Sequence, residues 1–206
     1  MTTSENGKAG VMSTCTVGSG NSTCNINHPV DNFIFKIQST SGADLYEDVR
    51  ANVELQTKNW GQGYGISQQA GGLYKSPLRV VDGLDAYYVV AVYPSDGSNR
   101  HGVYRRYKVE MSGATITSVK DFVTGAVVTP DANGVYALRL QAPNIAGTVV
   151  APNGTTPIPN TGVRTSGPEW QYFNTDDSGA FAGILNKDGT YDVWAQAPQN
   201  DMTKAD

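Results

Sequence analysis

The sequence predicts an all-β chain, and three observations carry that prediction. Apolar residues recur at every second position in short runs such as Ile145-Ala-Gly-Thr-Val-Val150, Gly179-Ala-Phe-Ala-Gly-Ile-Leu185 and Tyr191-Asp-Val-Trp-Ala-Gln-Ala197. Turn segments separate the runs: Pro152-Asn-Gly154, Asp176-Asp-Ser-Gly179 and Lys187-Asp-Gly189. Period two broken by Asx-Gly turns marks antiparallel strands with one face buried, as in a β-sandwich. Composition agrees, because only 17% of residues are charged while 23 of 206 are glycine. That balance suits an extracellular β module, and the length allows one large or two small sandwiches.

Residues 1–30 are rich in Ser, Thr, Gly and Asn and read as an arm. Within it, Cys15 and Cys24 enclose a short Gly-containing loop. We read them as a disulfide in an oxidising compartment rather than as reduced thiols. Two sulfurs and a distant His28 supply too few ligands for a metal. No export signal precedes Cys15, and Met1 with its polar start suggests a mature domain; the abrupt stop after Ala197 suggests a fragment.

Asn32-Phe-Ile-Phe-Lys-Ile-Gln38 opens the first strand, and 31–100 then repeats the order of 144–206. Gly42 matches Gly154, Val53 matches Val163, and Trp60 matches Trp170. Tyr74 matches Phe181, Leu78 matches Leu185, and Tyr87 matches Tyr191. A shrinking offset is what loop changes between kept strands produce. The expected fold is therefore two tandem transthyretin-like or Ig-like β-sandwiches, 31–100 and 144–206. Segment 101–143 would add accessory strands packed on the first, covering the second apolar face of Tyr87–Tyr93. In the second copy, Tyr191, Val193 and Ala195 should face the core and Trp194 the outside. Ala43–Glu54 carries near-helical spacing, yet its turn chemistry and the repeat favour a loop followed by a strand.

The order Gly147-x-Val149, Pro157, Val163, Thr175-Asp-Asp-Ser-Gly-Ala-Phe181, Leu185, Gly189-Thr-Tyr191-x-Val193-x-Ala195 resembles the carboxypeptidase regulatory-like domain, which is related to Cna-B-type modules. The resemblance covers about a quarter of the chain and implies a seven-stranded, non-catalytic sandwich used as a spacer or adhesion module. Some Cna-B-type modules carry a Lys–Asn cross-link. Lys36 sits where that Lys would be, but Tyr87–Pro94 offers no Asn or Asp partner. We therefore read Lys36 as a guard on an edge strand, Phe33–Gln38, whose free edge would otherwise invite strand addition.

A net charge of −4 argues against nucleic acid, and no apolar run is long enough for a membrane span. The two histidines, His28 and His101, lack any nucleophile motif, and no carboxylate pair stands out, so no catalytic residue, metal site or cofactor is expected. Asx-Gly turn chemistry explains Asp131–Gly134 and Asn174–Gly179 without calcium. Asn21-Ser-Thr and Asn153-Gly-Thr fit the N-glycosylation pattern.

The aromatic residues are the remaining candidates for contact. Trp60 with Tyr64 and Trp170 with Tyr172 occupy equivalent places, and their repetition suggests packing against each core. Trp194, on a polar face, is the better contact residue. The expected job is a structural or adhesive module of a secreted or cell-surface protein (stalk, adhesin, pilus or surface layer), touching neighbouring domains or copies of itself. The alternative is a carbohydrate-binding module of a secreted enzyme, with glycans as partners and exposed coplanar rings as its mark.

Overall fold

The computed structural model describes residues 31–58, 61–80, 85–95 and 99–196. The arm with Cys15 and Cys24, and Trp60, lie outside them. Among the described residues the chain is all-β, its one helical piece a 3-10 turn at Ala70–Gly72. In chain order the strands are β1 (Phe33–Gln38), β2 (Val49–Thr57), β3 (Gly61–Ile66), β4 (Leu73–Ser76), β5 (Ala86–Pro94), β6 (Arg105–Ser112) and β7 (Thr115–Asp121). They continue as β8 (Val135–Arg139), β9 (Ile145–Thr148), β10 (Gly162–Ser166), β11 (Gln171–Asn174), β12 (Ala180–Gly183) and β13 (Asp192–Gln196). The ambiguous stretch before Glu54 is thus a loop and then a strand, as its turn chemistry favours.

Among the described residues the strands form four sheets, ordered β4-β1-β8, β3-β2-β5-β6-β7, β11-β10-β13 and β12-β9. By compactness the chain divides into two units. Unit 1 holds Met1–Ile37, Arg50–Ala91 and Arg106–Leu138; unit 2 holds Gln38–Val49, Val92–Arg105 and Arg139–Asp206.

Unit 1 is built mainly by alternation, with β5 buried at Val89 as well as at Tyr88 and Val90. Phe33, Phe35 and Ile37 of β1 are fully buried, and Ile34 and Lys36 between them are not. Ala51 and Val53 of β2, Tyr88 and Val90 of β5, Tyr107 and Val109 of β6, Val119 of β7 and Leu138 of β8 turn inward from their strands in the same way. The inward residues of the two sheets meet where the Tyr64 hydroxyl of β3 lies 2.7 Å from the Ser76 hydroxyl of β4. Burial of apolar area at roughly 25 cal/mol per Å² is what holds such a sandwich closed.

Three expectations change here. Strand β1 is not an edge: β4 and β8 flank it on both sides, so Lys36 guards nothing. Segment 101–143 does add strands to the first sheets, but it does so by hydrogen bonding at their edges, β6 beside β5 and β8 beside β1, rather than by lying over a face of β5. The most deeply buried face of β5 is Tyr88-Val90-Val92, one residue out of step with an alignment of Tyr87 to Tyr191. On the odd face Val89 is buried as well, while Tyr87, Ala91 and Tyr93 are only partly covered.

Unit 2 closes its core on Val163, Phe173 and Phe181, with Ile145, Val149 and Leu185 against them. Phe173 of β11 and Phe181 of β12 stack at 6.0 Å between centroids, which joins the two sheets. Two glycines make room for these rings. A Cβ on Gly147 would lie 2.7 Å from the Phe181 ring, and one on Gly183 only 1.9 Å from the Phe173 ring.

Two ladders pair residues at matching sequence offsets. On β1 and β4, Phe33 faces Ser76 and Phe35 faces Tyr74; on β9 and β12, Ile145 faces Gly183 and Gly147 faces Phe181. The offsets are constant, 112 for the first strands (145 − 33) and 107 for the second (183 − 76). A side-chain clamp repeats at the same offsets. Asn32 donates to the Leu78 carbonyl at 2.8 Å and accepts the Leu78 N–H at 2.7 Å. Asn144 does the same with Leu185, at 2.7 and 2.8 Å. The turn glycines Gly42 and Gly154 also agree, both in the left-handed region (φ +92° and +75°), each donating its N–H to the carbonyl three residues back.

Asn32 also donates to the Ala114 carbonyl at 2.6 Å, so one side chain ties three segments of unit 1. Asn32→Ala should cost about 2 kcal/mol, seen as a lower midpoint in urea denaturation. Gly183→Ala should cost roughly 1–3 kcal/mol by overpacking against Phe173. An unchanged midpoint in either variant would contradict the packing described.

Candidate functional site

The outer face of β11-β10-β13 collects the exposed aromatic residues of unit 2. Phe173 takes the inward slot of β11, so Tyr172 and Trp170 point the other way. Arg164 of β10 is paired with Tyr172 on one side and Trp194 on the other, which sets ring, guanidinium and ring in one row across three strands. Strands lie about 4.8 Å apart, so the two rings of that row stand roughly 10 Å from one another at their roots. Trp170, Tyr172 and Trp194 are 62%, 44% and 43% exposed. The Trp170 and Tyr172 rings lie within 20° of parallel at 6.5 Å between centroids.

Tyr172 is laid across the sheet because Gly162 permits it: a Cβ there would meet the Tyr172 hydroxyl at 2.5 Å. The Arg164 guanidinium sits 5.8 Å from the Tyr172 ring centre, and its Nε is buried with no hydrogen-bond partner. Polar side chains flank the row: Asn174 and Gln196 are exposed beyond Gly162, and Asp192 is exposed opposite Ser166. The result is a flat platform of ring faces and planar polar groups.

Trp170 was expected to plug its core and does not, because the inward position of β11 belongs to Phe173. Tyr64 was expected to correspond to Tyr172, but the registers match it to Phe173 instead: Val53 faces Tyr64 as Val163 faces Phe173. Burial raises the Tyr64 pKa, in keeping with its inward place. Trp194 faces outward as expected. Its neighbours depart from expectation, since Val193 is 48% exposed and Ala195 is exposed too, although they share the inner face with Val163. Sequence reasoning missed Arg164 and Gly162. The signal available was their alternation with Val163, which places both on the outer face once β10 is recognised.

The acidic turns are occupied by their own backbones. Asp131 accepts the N–H groups of Asn133 and Val135, and Asp176 accepts those of Ser178 and Ala180. The Ser178 hydroxyl does most to lower the Asp176 pKa. Among the described residues no three His, Cys, Asp or Glu side chains are placed to hold a metal ion.

Comparison with family models, with curated proteins and with solved structures gave no match to this chain.

One charge cluster stands apart in unit 1. Glu110 receives the Ser118 hydroxyl and, at 2.9 Å each, the ammonium groups of Lys108 and Lys120. The Ser118 bond, followed by the two lysines, lowers its pKa to about 2. A depressed folded-state pKa stabilises above the unfolded value, about 4.3, and that contribution is lost as pH falls through the folded value. Solvent screening keeps it modest. Thermal melts should therefore show a decline between about pH 4.3 and 2 that is shallower in Glu110→Gln. Parallel declines would contradict this.

Proposed function

We propose that this chain is a non-catalytic adhesive module of a secreted or cell-surface protein. It is made of two copies of a transthyretin-like sandwich and makes its contact through the outer face of β11-β10-β13. The observation that carries the reading is the exposed row Tyr172-Arg164-Trp194, with Trp170 beside it. Trp, Tyr and Arg are the residues that most often dominate binding energy, and here they stand together on a rigid sheet. The matched registers of the β1–β4 and β9–β12 ladders support the duplication. The resemblance of 144–198 to carboxypeptidase regulatory-like domains supports the class of module.

A second reading, carbohydrate binding, is favoured by one specific feature. The Trp170 and Tyr172 rings are near-parallel, exposed and flanked by amide and carboxylate groups. Ring faces suit the C–H faces of sugars, and planar polar side chains suit their hydroxyls.

Beads carrying the full chain would be scored for retention on immobilised glycans, on extracellular protein, and on surfaces coated with the chain itself. Retention on at least one surface, reduced about tenfold in Trp170→Ala/Trp194→Ala, is the expected outcome. Glycan retention alone selects the second reading. Equal retention of chain and variant on every surface would overturn both.

A further inference from the structure

The turn that follows β7 is bare to solvent and yet asks little of it. Residues 122–127, Phe-Val-Thr-Gly-Ala-Val, are all exposed, Val123 at 79% and Val127 at 65%. Thr124 is their one polar side chain, and its hydroxyl donates to Asp121 Oδ1 at 2.7 Å. The same carboxylate oxygen accepts the N–H groups of Val123 and Thr124, at 3.1 and 2.5 Å. Phe122 donates its N–H to the Arg106 carbonyl, Gly125 to the Asp121 carbonyl and Ala126 to the Thr124 hydroxyl oxygen. Every amide donor from Phe122 to Ala126 is thus satisfied within the protein, where an ordinary exposed turn leaves such groups to water. The turn also lies about 20 Å along β7 from Ala114, whose carbonyl accepts Asn32 at the start of the described chain.

The charges around the turn are sorted in the same sense. Asp121 is 4% exposed, its carboxylate folded beneath the turn that it holds. On the outer face of β6 and β7, the Arg106 guanidinium lies 4.6 Å from the centre of the Phe122 ring. Lys108 and Lys120 face one another in the next row, with Glu110 bonded to both. Three cations therefore stand against one acid on the face that leads to the apolar turn.

We propose that the turn Phe122–Val127 enters the headgroup region of an anionic lipid surface. Val123, Val127 and the Phe122 ring lie against the ends of the acyl chains, and Arg106, Lys108 and Lys120 face the phosphates. A backbone that leaves water needs its N–H groups bonded internally, and this one meets that condition before it meets a membrane. The occupant is a fluid surface rather than a protein pocket. Protein contacts centre on large aromatic or Arg anchors, whereas the most exposed side chains here are two valines and the one ring is already engaged by Arg106. Such contact strengthens with the apolar area buried and with the attraction of Lys and Arg to anionic lipid. It is peripheral, involves no span, and does not rest on the aromatic face of unit 2.

The test is co-sedimentation of the full chain with vesicles of equimolar phosphatidylglycerol and phosphatidylcholine. The chain should pellet with them, and Val123→Ser/Val127→Ser should weaken its partition about tenfold. Arg106→Gln should weaken it severalfold, as should high salt. All three positions are exposed, so urea midpoints should be unchanged. Trp170→Ala/Trp194→Ala should partition as the unaltered chain does. A Val123→Trp chain should shift its emission to shorter wavelength on adding vesicles, beyond any shift of the unaltered chain. Failure to pellet would overturn the proposal, and so would undiminished partition of the double serine variant. Partition lost in Trp170→Ala/Trp194→Ala would also overturn it and move the contact to the aromatic face. Self-association that the double serine variant loses, without vesicle binding, would make the turn a protein contact and sink the lipid reading.

Discussion

The double pairing of β1 is the interaction on which unit 1 depends. A strand carrying Phe33, Phe35 and Ile37 on one face cannot stand at a sheet margin without exposing those rings to water or leaving one row of amides unpaired. Flanked by β4 and β8, it does neither. The Asn32 clamp then fixes where the strand begins, holding the Leu78 backbone as a neighbouring strand would. Completing this sheet and the one facing it dictates most of the remaining architecture of unit 1, including the placement of 101–143.

Unit 2 runs the same plan with less material. Among the described residues its β9 is paired by β12 alone, and its first-strand core is Ile145, Gly147 and Val149 where β1 has Phe33, Phe35 and Ile37. The lost volume is recovered by Phe181 and Phe173, whose rings lie over Gly147 and Gly183. A packed ring over a glycine keeps density without a second aromatic. The arrangement leaves the outer face of β10 free to carry Arg164 between Tyr172 and Trp194, and that is how packing and contact come to share one small sheet.

Much of this architecture is legible in the sequence, for physical reasons. Period-two alternation and Asx-Gly turns reveal strands directly, and Gly42 and Gly154 occupy matching left-handed turns as the repeat implies. Parity is the weak point. One residue of slip moves a whole strand to the other face, and the sequence pattern places both β5 and β11 one position out. That slip is why Trp170 and Tyr172, read as packing against their core, lie on the outer face instead. Edge status is also illegible at β1: its partner β8 lies about a hundred residues downstream, and nothing local in Phe33–Gln38 announces it.

At the centre of this account, β5 is paired on both sides and buried, whereas β13 is paired on one side among the described residues and is exposed along its length. Amide exchange on the free chain measures this directly. The expected result is that the amides of Tyr88–Val92 exchange only on global unfolding of their unit, while those of 192–196 exchange orders of magnitude faster. Comparable protection of the two strands would contradict it.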